Sequence, residues 1–393
     1  PDQARTGTGN GEVDRVLGGG LVPGEVVLLA GEPGVGKSTL VLQLLDGVAR
    51  AGGRVLLATG EESLAQVGLR AARLGIDGGR IPALADSSLD AILRASESEA
   101  PDLLVIDSIQ TVTDPALEQP PGSIVQVRES AAALARHAKS TRTVVILVGH
   151  VTKEGTVAGP RTLEHLVDAV VSLEGDRSAS LRLLRASKNR FGSCEETGVF
   201  AMGGSGLEVV PDPSSMLLAD RCAGVAGSVV FPGLEGSRPV LVELQALVTR
   251  SDLPQPRRVA LGLDARRLSM LSGVLEKEGL RLGRQDVFVS AAGGLTVREP
   301  AADLALCLAV QSAAADVAVD ERTVAVGEVG LSGELRRAPG TARRLAEAAR
   351  LGFRRAIVPR RTSVEACGIE LMPASGLRDA FALALPARTR PRS

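Results

Sequence analysis

The chain has 393 residues, of which 44% are hydrophobic and 23% are charged, and its formal net charge at pH 7 is −1. This composition is that of a folded globular protein and excludes disordered, collagen-like and low-complexity chains. The charge balance by itself predicts no nucleic-acid partner, so any such contact must come from local basic residues. No apolar run reaches the ~18 residues of a membrane helix, and residues 1–10 lack the features of a signal peptide. We therefore expect a cytoplasmic protein without a membrane partner.

In the first half of the chain, short β-branched runs alternate with amphipathic stretches. The predicted strands are residues 26–30, 55–58, 103–106, 144–148, 170–173 and 181–185, and the predicted helices are residues 38–50, 63–74, 123–140 and 161–167. This alternation predicts an α/β domain with a mostly parallel sheet and helices on both faces. The pattern breaks at the Pro, Asp and Ser residues of 211–215, so we place the first domain at residues 1–210.

The second half, residues 211–393, also mixes the two patterns. Its predicted strands are residues 240–248, 286–290, 324–326 and 357–358, and its predicted helices are residues 266–280, 301–313 and 342–351. These elements predict a second, smaller α/β domain. The basic, proline-containing tail from residue 387 is expected to fray.

A phosphate-binding motif follows the first predicted strand. The segment Gly31-Glu-Pro-Gly-Val-Gly-Lys-Ser38 fits G-x-x-x-x-G-K-[ST], and a predicted helix begins directly after it. The backbone N–H groups of such a loop surround phosphates, and the helix adds its positive dipole end. We therefore predict an ATP site formed by Gly31, Gly34, Val35, Gly36, Lys37, Ser38 and Thr39. Lys37 is expected to reach the β- and γ-phosphates and Ser38 to ligate Mg²⁺.

Polar residues at the ends of other predicted strands complete this site. Asp107 follows a buried strand and is predicted to hold the Mg²⁺ shell through water. Glu61 and Glu62 follow the second strand; Glu61 is our first choice as the base that orients water. An acidic helix N-terminus is the alternative for such residues, and it suits Glu62 better. His150 ends a further strand as either a γ-phosphate sensor or a hydrogen-bonded strand-end histidine, and the sequence leaves both open.

Several longer motifs resemble those of a known family. Lys188-Asn-Arg-Phe-Gly192, Gly60-Glu-Glu-Ser63, Gly149-His-Val-Thr-Lys-Glu-Gly155 and Gly327-Glu-Val-Gly-Leu-Ser-Gly-Glu334 resemble the bacterial RadA/Sms DNA-repair proteins, which have a RecA-type ATPase core. The resemblance implies a homohexameric, DNA-stimulated ATPase of the helicase type. It would bind single-stranded DNA and branched intermediates, work with the RecA recombinase and drive branch migration in recombination and repair. A nucleoid-associated cytoplasmic location follows.

The resemblance also assigns roles to individual basic residues. In such rings Lys188 and Arg190 would reach the γ-phosphate of a neighbouring subunit, as an arginine finger does. The alternative is that this basic strand end pairs with acids or is solvated. Two loops, residues 108–126 and 151–163, would face the ring's central channel, and Lys153 and Arg161 of the second loop are expected to contact DNA phosphates.

The second half resembles the proteolytic domain of Lon, in which a serine and a lysine form the catalytic dyad. Ala301 stands where the resemblance places the serine, and no lysine occurs in Gly340-Thr-Ala-Arg-Arg344, where it places the lysine. Lys277, the one lysine of this half, belongs to a different predicted helix. We therefore expect an inactive, Lon-protease-like scaffold domain without peptidase activity.

Zinc is not expected in this chain. The family carries an N-terminal four-cysteine zinc finger, whereas the four cysteines here are far apart and form no C-x-x-C pair. The sequence thus predicts an ATP-dependent DNA motor. A nucleotide-gated scaffold that regulates RecA without translocating uses the same phosphate chemistry and is the main alternative. A Lon-type peptidase and a KaiC-like kinase are more distant ones.

Overall fold

The computed structural model describes residues 5–150, 163–175, 181–364 and 368–385. The chain divides into two compact units, Pro1–Pro211 and Asp212–Ser393. Each unit combines a β-sheet with helices, so the predicted α/β fold class is confirmed. Within the described residues, no helix is both long and apolar enough to cross a membrane.

The first unit contains a large, mostly parallel sheet. Its helices are α1 (Gly11–Val16), α2 (Lys37–Arg50), α3 (Leu64–Arg73), α4 (Leu89–Glu99) and α5 (Ile124–Thr141). Its strands are β1 (Val26–Gly31), β2 (Val55–Thr59), β3 (Ala83–Ala85), β4 (Leu103–Asp107), β5 (Val144–His150), β6 (Ala169–Glu174), β7 (Leu181–Asn189), β8 (Thr197–Gly203) and β9 (Gly206–Val209). In the described part of the chain, these nine strands form one sheet in the order β3-β2-β4-β5-β1-β6-β7-β8-β9. The strands from β3 to β6 are parallel, and those from β6 to β9 pair antiparallel.

The central strands are apolar because both faces of the sheet are covered. Every residue of β1, β2 and β4 is buried, as expected for parallel strands between two helical layers. Successive side chains point to opposite faces. Val27 and Leu29 belong to the same buried cluster as Leu45 of α2, whereas Leu28 belongs to the cluster that includes Leu134 of α5. Because the strands run in one direction, their carboxyl ends lie along one edge of the sheet.

The helix predicted at residues 161–167 ends earlier than expected in its described part. Residues 161 and 162 lie outside the described residues, Leu163 is helical, and residues 164–166 form a turn. The backbone N–H of Asp168 already donates to the carbonyl of Val26 at 2.8 Å, and β6 begins at the next residue. In the described residues, Leu163 is thus followed by a turn that leads directly into β6.

The second unit is built on a smaller sheet of mixed direction. Its helices are α6 (Pro213–Leu218), α7 (Ala265–Lys277), α8 (Asp303–Ala315), α9 (Thr341–Arg350) and α10 (Leu377–Ala384). Its strands are β10 (Ser228–Glu235), β11 (Arg238–Arg250), β12 (Arg258–Leu261), β13 (Gln285–Ala291), β14 (Thr323–Ala325), β15 (Glu328–Val329), β16 (Leu335–Arg336), β17 (Arg355–Pro359) and β18 (Glu370–Ala374). The order among described strands is β12-β13-β11-β10-β14-β17-β18, with β15 and β16 forming a separate pair. Helix α8 is buried along most of its length.

An ion pair between a buried arginine and a partly exposed glutamate lies in the segment where the Lon-like dyad was sought. Arg344 is only 1% exposed and pairs with Glu299. Its guanidinium also donates to the carbonyls of Pro232 at 2.8 Å and Pro339 at 2.9 Å. Ala301, at the position considered for the serine, is buried. The polar groups of this segment are therefore engaged in holding the fold together.

Candidate nucleotide site at the carboxyl edge of the first sheet

The loop between β1 and α2 has the backbone of a phosphate cradle. Gly34 and Gly36 have positive φ angles of 82° and 120°, a region that glycine occupies without steric cost. A Cβ at Gly36 would also lie 2.7 Å from Cε of Met202. Gly36 is the N-cap of α2, and no side chain caps the helix. The first N–H groups of α2 are therefore open to an anion.

Lys37 lies inside this loop. Its side chain is nearly buried, and Nζ donates to the carbonyls of Gly31 at 2.8 Å and Glu32 at 3.1 Å. Burial lowers the pKa of Lys37, and the nearby carboxylates of Asp107 and Glu61 oppose that change. The ammonium group is thus held next to the position that phosphate oxygens would take.

Asp107 ends β4 beside the loop. The carboxyl group is buried near the Ser38 side chain, and its Oδ1 has no hydrogen-bond partner among the described residues. Burial raises the pKa of Asp107, whereas the Ser38 hydrogen bond lowers it. A buried carboxylate oxygen without a donor, next to a hydroxyl group, suits a hard cation such as Mg²⁺. These two residues therefore fit the magnesium site expected from the sequence.

Glu61 reaches the same place because β2 and β4 are neighbours, with Thr59 opposite Asp107. Its Oε1 accepts a hydrogen bond from Ser108 Oγ at 2.5 Å and lies 3.0 Å from His150 Nε2. Burial raises the pKa of Glu61, but the hydrogen bonds from Ser108 and His150 outweigh it, so the pKa is lowered. An ionised carboxylate at this edge is equipped to accept a proton from water.

The two adjacent glutamates have different surroundings. Glu62 forms an ion pair with Arg70 of α3, whereas Glu61 faces Ser108 and His150. His150 is therefore hydrogen-bonded to the candidate base, while its buried Nδ1 has no partner in the part of the chain that the structure describes. The His150 imidazole thus contacts the candidate base, and His150 is the last residue of β5, directly before residues 151–162.

Lys188 and Arg190 lie elsewhere in the unit. Lys188 Nζ donates to the carbonyls of Glu164 at 2.5 Å and Val167 at 2.8 Å. Arg190 pairs with Asp168 at 3.0 Å, and the Asp168 carboxylate also accepts from the N–H of Val26 at 3.1 Å. Val26 is the first residue of β1, so Arg190 lies at the amino edge of the parallel strands. The structure does not bring it to the phosphate loop of its own chain.

Of the two loops predicted to face the channel, the structure describes only residues 108–126 in full. Lys153 and Arg161 lie outside the described residues. The other predicted loop, residues 108–126, is held by the buried side chain of Gln126. Its amide accepts from the N–H of Asp114 at 2.9 Å and donates to the carbonyl of Gln119 at 2.9 Å. This loop is therefore a folded segment.

The sequence analysis missed two side chains through which the phosphate loop and the helix after it contact the antiparallel strands. Gln43 of α2 makes two hydrogen bonds of 3.1 Å with the backbone of Leu207 in β9. Arg182 of β7 donates from Nε to the carbonyl of Val35 at 3.3 Å. The only local signal for Arg182 is a charged residue within the apolar run Leu181-Arg-Leu-Leu184.

Comparison with known proteins decides the family. The profile of the AAA domain matches residues 8–156, and the profile described as subunit ChlI of Mg-chelatase matches residues 269–362. The DNA repair protein RadA of Halalkalibacterium halodurans is 48% identical over 358 residues, covering 91% of this chain and 78% of that protein. RadA of Pseudomonas aeruginosa is 50% identical over 361 residues, covering 91% and 79%, and RadA of Escherichia coli is 49% identical over 356 residues, covering 90% and 77%. The chain belongs to the RadA family of DNA repair proteins.

Membership of the RadA family confirms the resemblance seen in the sequence motifs. The AAA profile spans every residue from Gly31 to His150 that the structure gathers at the sheet edge. The first unit is thus a P-loop ATPase domain of a RadA protein, and the second is a further α/β domain. The individual roles of the site residues remain predictions.

Proposed function

We propose that this protein is an ATP-driven motor that binds single-stranded DNA and promotes branch migration in homologous recombination and DNA repair. The observation that carries the proposal is the convergence of Lys37, Ser38, Asp107, Glu61 and His150 at one sheet edge. A phosphate cradle, a cation site and a group that orients water are parts that nucleotide hydrolysis needs, and His150 contacts the last of these. The RadA relatives are named DNA repair proteins, which supports the DNA side.

In this proposal the first turn of α2 binds the phosphates of ATP. Lys37 exchanges the carbonyls of Gly31 and Glu32 for phosphate oxygens, and Ser38 with Asp107 holds Mg²⁺. When bound, Mg²⁺ neutralises charge on the phosphates as they separate. Glu61, which its lowered pKa keeps ionised at neutral pH, orients the attacking water and accepts its proton as the water attacks the γ-phosphate.

His150 would connect hydrolysis with DNA. Its Nε2 contacts Glu61, so a change at the γ-phosphate changes the surroundings of the imidazole. The next residues of the chain carry Lys153 and Arg161, which we propose as contacts to DNA phosphates. Binding through phosphates predicts little sequence preference and a strong dependence on salt.

Lys188 and Arg190 would act on the ATP of a neighbouring subunit in a homohexameric ring. Arg190 lies at the edge of the sheet away from its own phosphate loop, and this position favours a role between subunits. A guanidinium from a neighbour stabilises the charge that develops as the γ-phosphate leaves. To do so, both side chains must give up the partners that they have in the isolated chain.

The engagement of Lys188 and Arg190 within their own chain favours a second candidate. In this alternative the protein is a nucleotide-gated scaffold that regulates the RecA recombinase without moving along DNA. Binding and release of ATP would then change its conformation, with no translocation. The two candidates differ in whether hydrolysis is coupled to the movement of a DNA branch.

Steady-state ATP hydrolysis with and without single-stranded DNA tests the proposal. Lys37→Ala is expected to abolish turnover, and Lys277→Ala, which changes an exposed lysine of the second unit, is the matched control. DNA-stimulated turnover that is lost with Lys37, together with movement of a branched DNA, supports the motor. A rate of ATP hydrolysis that does not change when DNA is added supports the scaffold. Turnover retained in Lys37→Ala overturns the assignment of the ATP site.

Mixing two inactive variants tests the role of Arg190. Arg190→Ala is expected to bind ATP but hydrolyse it poorly. Mixed with Lys37→Ala, it should recover turnover, because a Lys37→Ala subunit can offer its intact Arg190 to a neighbour's intact phosphate loop. No recovery in mixed assemblies, or loss of ATP binding in isolated Arg190→Ala subunits, contradicts the role between subunits.

A further inference from the structure

A buried arginine of β7 contacts the backbone of the phosphate loop. Arg182 lies on β7 and is 4% exposed. Its Nε donates to the carbonyl of Val35 at 3.3 Å, and its Nη1 donates to the carbonyl of Leu181 at 3.0 Å. Val35 is the loop residue between Gly34 and Gly36, and it is itself buried. The charged side chain therefore touches the middle of the loop, on the side of β7.

The geometry of such a loop explains why this carbonyl needs a donor. The N–H groups of a phosphate loop are directed inward at the ligand, so its carbonyl groups are directed outward into the protein. A buried carbonyl without a donor is costly. Arg182 supplies that donor at Val35, whereas the neighbouring carbonyls of Gly31 and Glu32 accept from Lys37 in this structure.

The backbone around Arg182 leaves space for it. Gly175 follows β6 and has a positive φ of 147°. A Cβ at this position would lie 2.6 Å from Cδ of Arg182 and 2.8 Å from the carbonyl oxygen of Leu181. A side chain at residue 175 would thus displace the arginine from the loop. The position of the Arg182 side chain therefore depends on a glycine at residue 175.

We propose that Arg182 is a positioning residue for ATP binding. By holding the carbonyl of Val35 outward, it keeps the N–H groups of the phosphate loop directed at the phosphates before ATP arrives. Arg182 does not touch the substrate and acts through the backbone of the loop. The inference rests on the proposed ATPase function and adds a residue that the phosphate-loop motif does not include.

The guanidinium suits this task better than an ammonium group would. Its donors lie in one plane at fixed angles, so a single group serves the carbonyls of Val35 and Leu181 together. A lysine at this position would retain the charge but lose the fixed geometry. Its effect on ATP binding should therefore lie between that of arginine and that of an uncharged side chain.

The test compares Arg182→Met, Arg182→Lys and Gly175→Ala with the unaltered protein. Arg185→Met is the control, because Arg185 lies on the same strand and pairs with Glu174. For each protein we would measure the Kd of a fluorescent ATP analogue with Mg²⁺, the KM and kcat for ATP, and the melting temperature without nucleotide.

Arg182→Met is expected to raise Kd and KM about tenfold, the loss expected for one charge-assisted hydrogen bond. The kcat should change less than about threefold, because bound ATP restores the loop and the reacting groups are intact. Arg182→Lys should recover part of the affinity, Gly175→Ala should weaken binding as Arg182→Met does, and Arg185→Met should bind normally.

A folded Arg182→Met protein with normal Kd and KM but a lower melting temperature overturns the inference, since Arg182 would then only support packing. If Arg182→Met does not fold, Gly175→Ala decides the matter, and normal ATP affinity in that variant overturns the inference. Failure of the proposed function looks different. In that case the unaltered protein and Lys37→Ala bind the analogue equally poorly.

Discussion

Glu25 is expected to make the stability of the first unit fall as pH rises through neutrality. The residue precedes β1 and is 1% exposed. Its Oε2 accepts from the N–H of Val22 at 3.0 Å, and its buried Oε1 has no partner among the residues that the structure describes. The pKa of Glu25 is raised to about 7, and burial is the largest cause. The Val22 hydrogen bond lowers the pKa, the carboxylate of Asp168 raises it and the guanidinium of Arg5 lowers it.

The size and sign of the effect follow from the change in pKa on folding. The folded state binds the Glu25 proton more tightly than the unfolded chain, whose glutamate pKa is about 4.5. This binding contributes about 3 kcal/mol to the free energy of unfolding below pH ~4.5, and the contribution is lost as pH rises through about 7. About 2 kcal/mol of it falls between pH ~5.5 and pH ~8.5.

Glu25→Gln removes the titrating group and isolates this contribution. Urea unfolding of both proteins would be followed by circular dichroism at pH ~5.5 and pH ~8.5, using the transition that ATP and Mg²⁺ shift, which marks the first unit. The difference in unfolding free energy between the two proteins should change by about 2 kcal/mol in favour of Glu25→Gln at the higher pH. Glu118→Gln, at an exposed loop position, is the control. A difference that is the same at both pH values would refute the reasoning.

Two further predictions concern side chains at the candidate site and in the second unit. Glu61→Gln should lower ATP turnover by about 10²-fold or more while ATP binding is retained. Glu62→Gln should change turnover less than about threefold, because it removes only a partly exposed ion pair. Equal losses of turnover in the two variants would contradict the assignment of Glu61. Arg344→Met should destabilise the second unit by about 2 kcal/mol, because it leaves the partly buried Glu299 unpaired and the buried carbonyl of Pro232 without this donor. Thermal unfolding measures this loss, and adding Glu299→Gln to the same protein should restore part of it.

The sequence was sufficient to predict the phosphate loop because its signals are local. The motif, the apolar strand before it and the helix after it are adjacent in the chain, and the structure has β1 and α2 in those places. Asp107 and Glu61 could be assigned to one sheet edge because each follows an apolar run that ends in a polar residue. The detail that distinguishes Glu61 from Glu62 is the contact with Ser108 and His150, which depends on strand order.

Other elements could not be predicted because their stabilisation is not local. Helix α4 buries only Leu89, Ile92 and Ser96, too narrow an apolar face to stand out in a polar segment. Strands β8 and β9 form a glycine-containing hairpin that the alternation of strands and helices did not reveal. Arg182 gains its contact from Val35, 147 residues away in the sequence. The packing of the folded unit creates these features.

The Asp168 carboxylate joins two parts of the fold that the sequence keeps far apart. It is nearly buried and accepts hydrogen bonds from Arg190 and from the first N–H of β1, the strand that leads to the phosphate loop. A protein that lost only the arginine would retain a carboxylate without its main counter-charge at the start of that strand. During evolution, positions 168 and 190 are therefore expected to change together. The fold thus gives its own reason to retain Arg190, independent of any partner subunit.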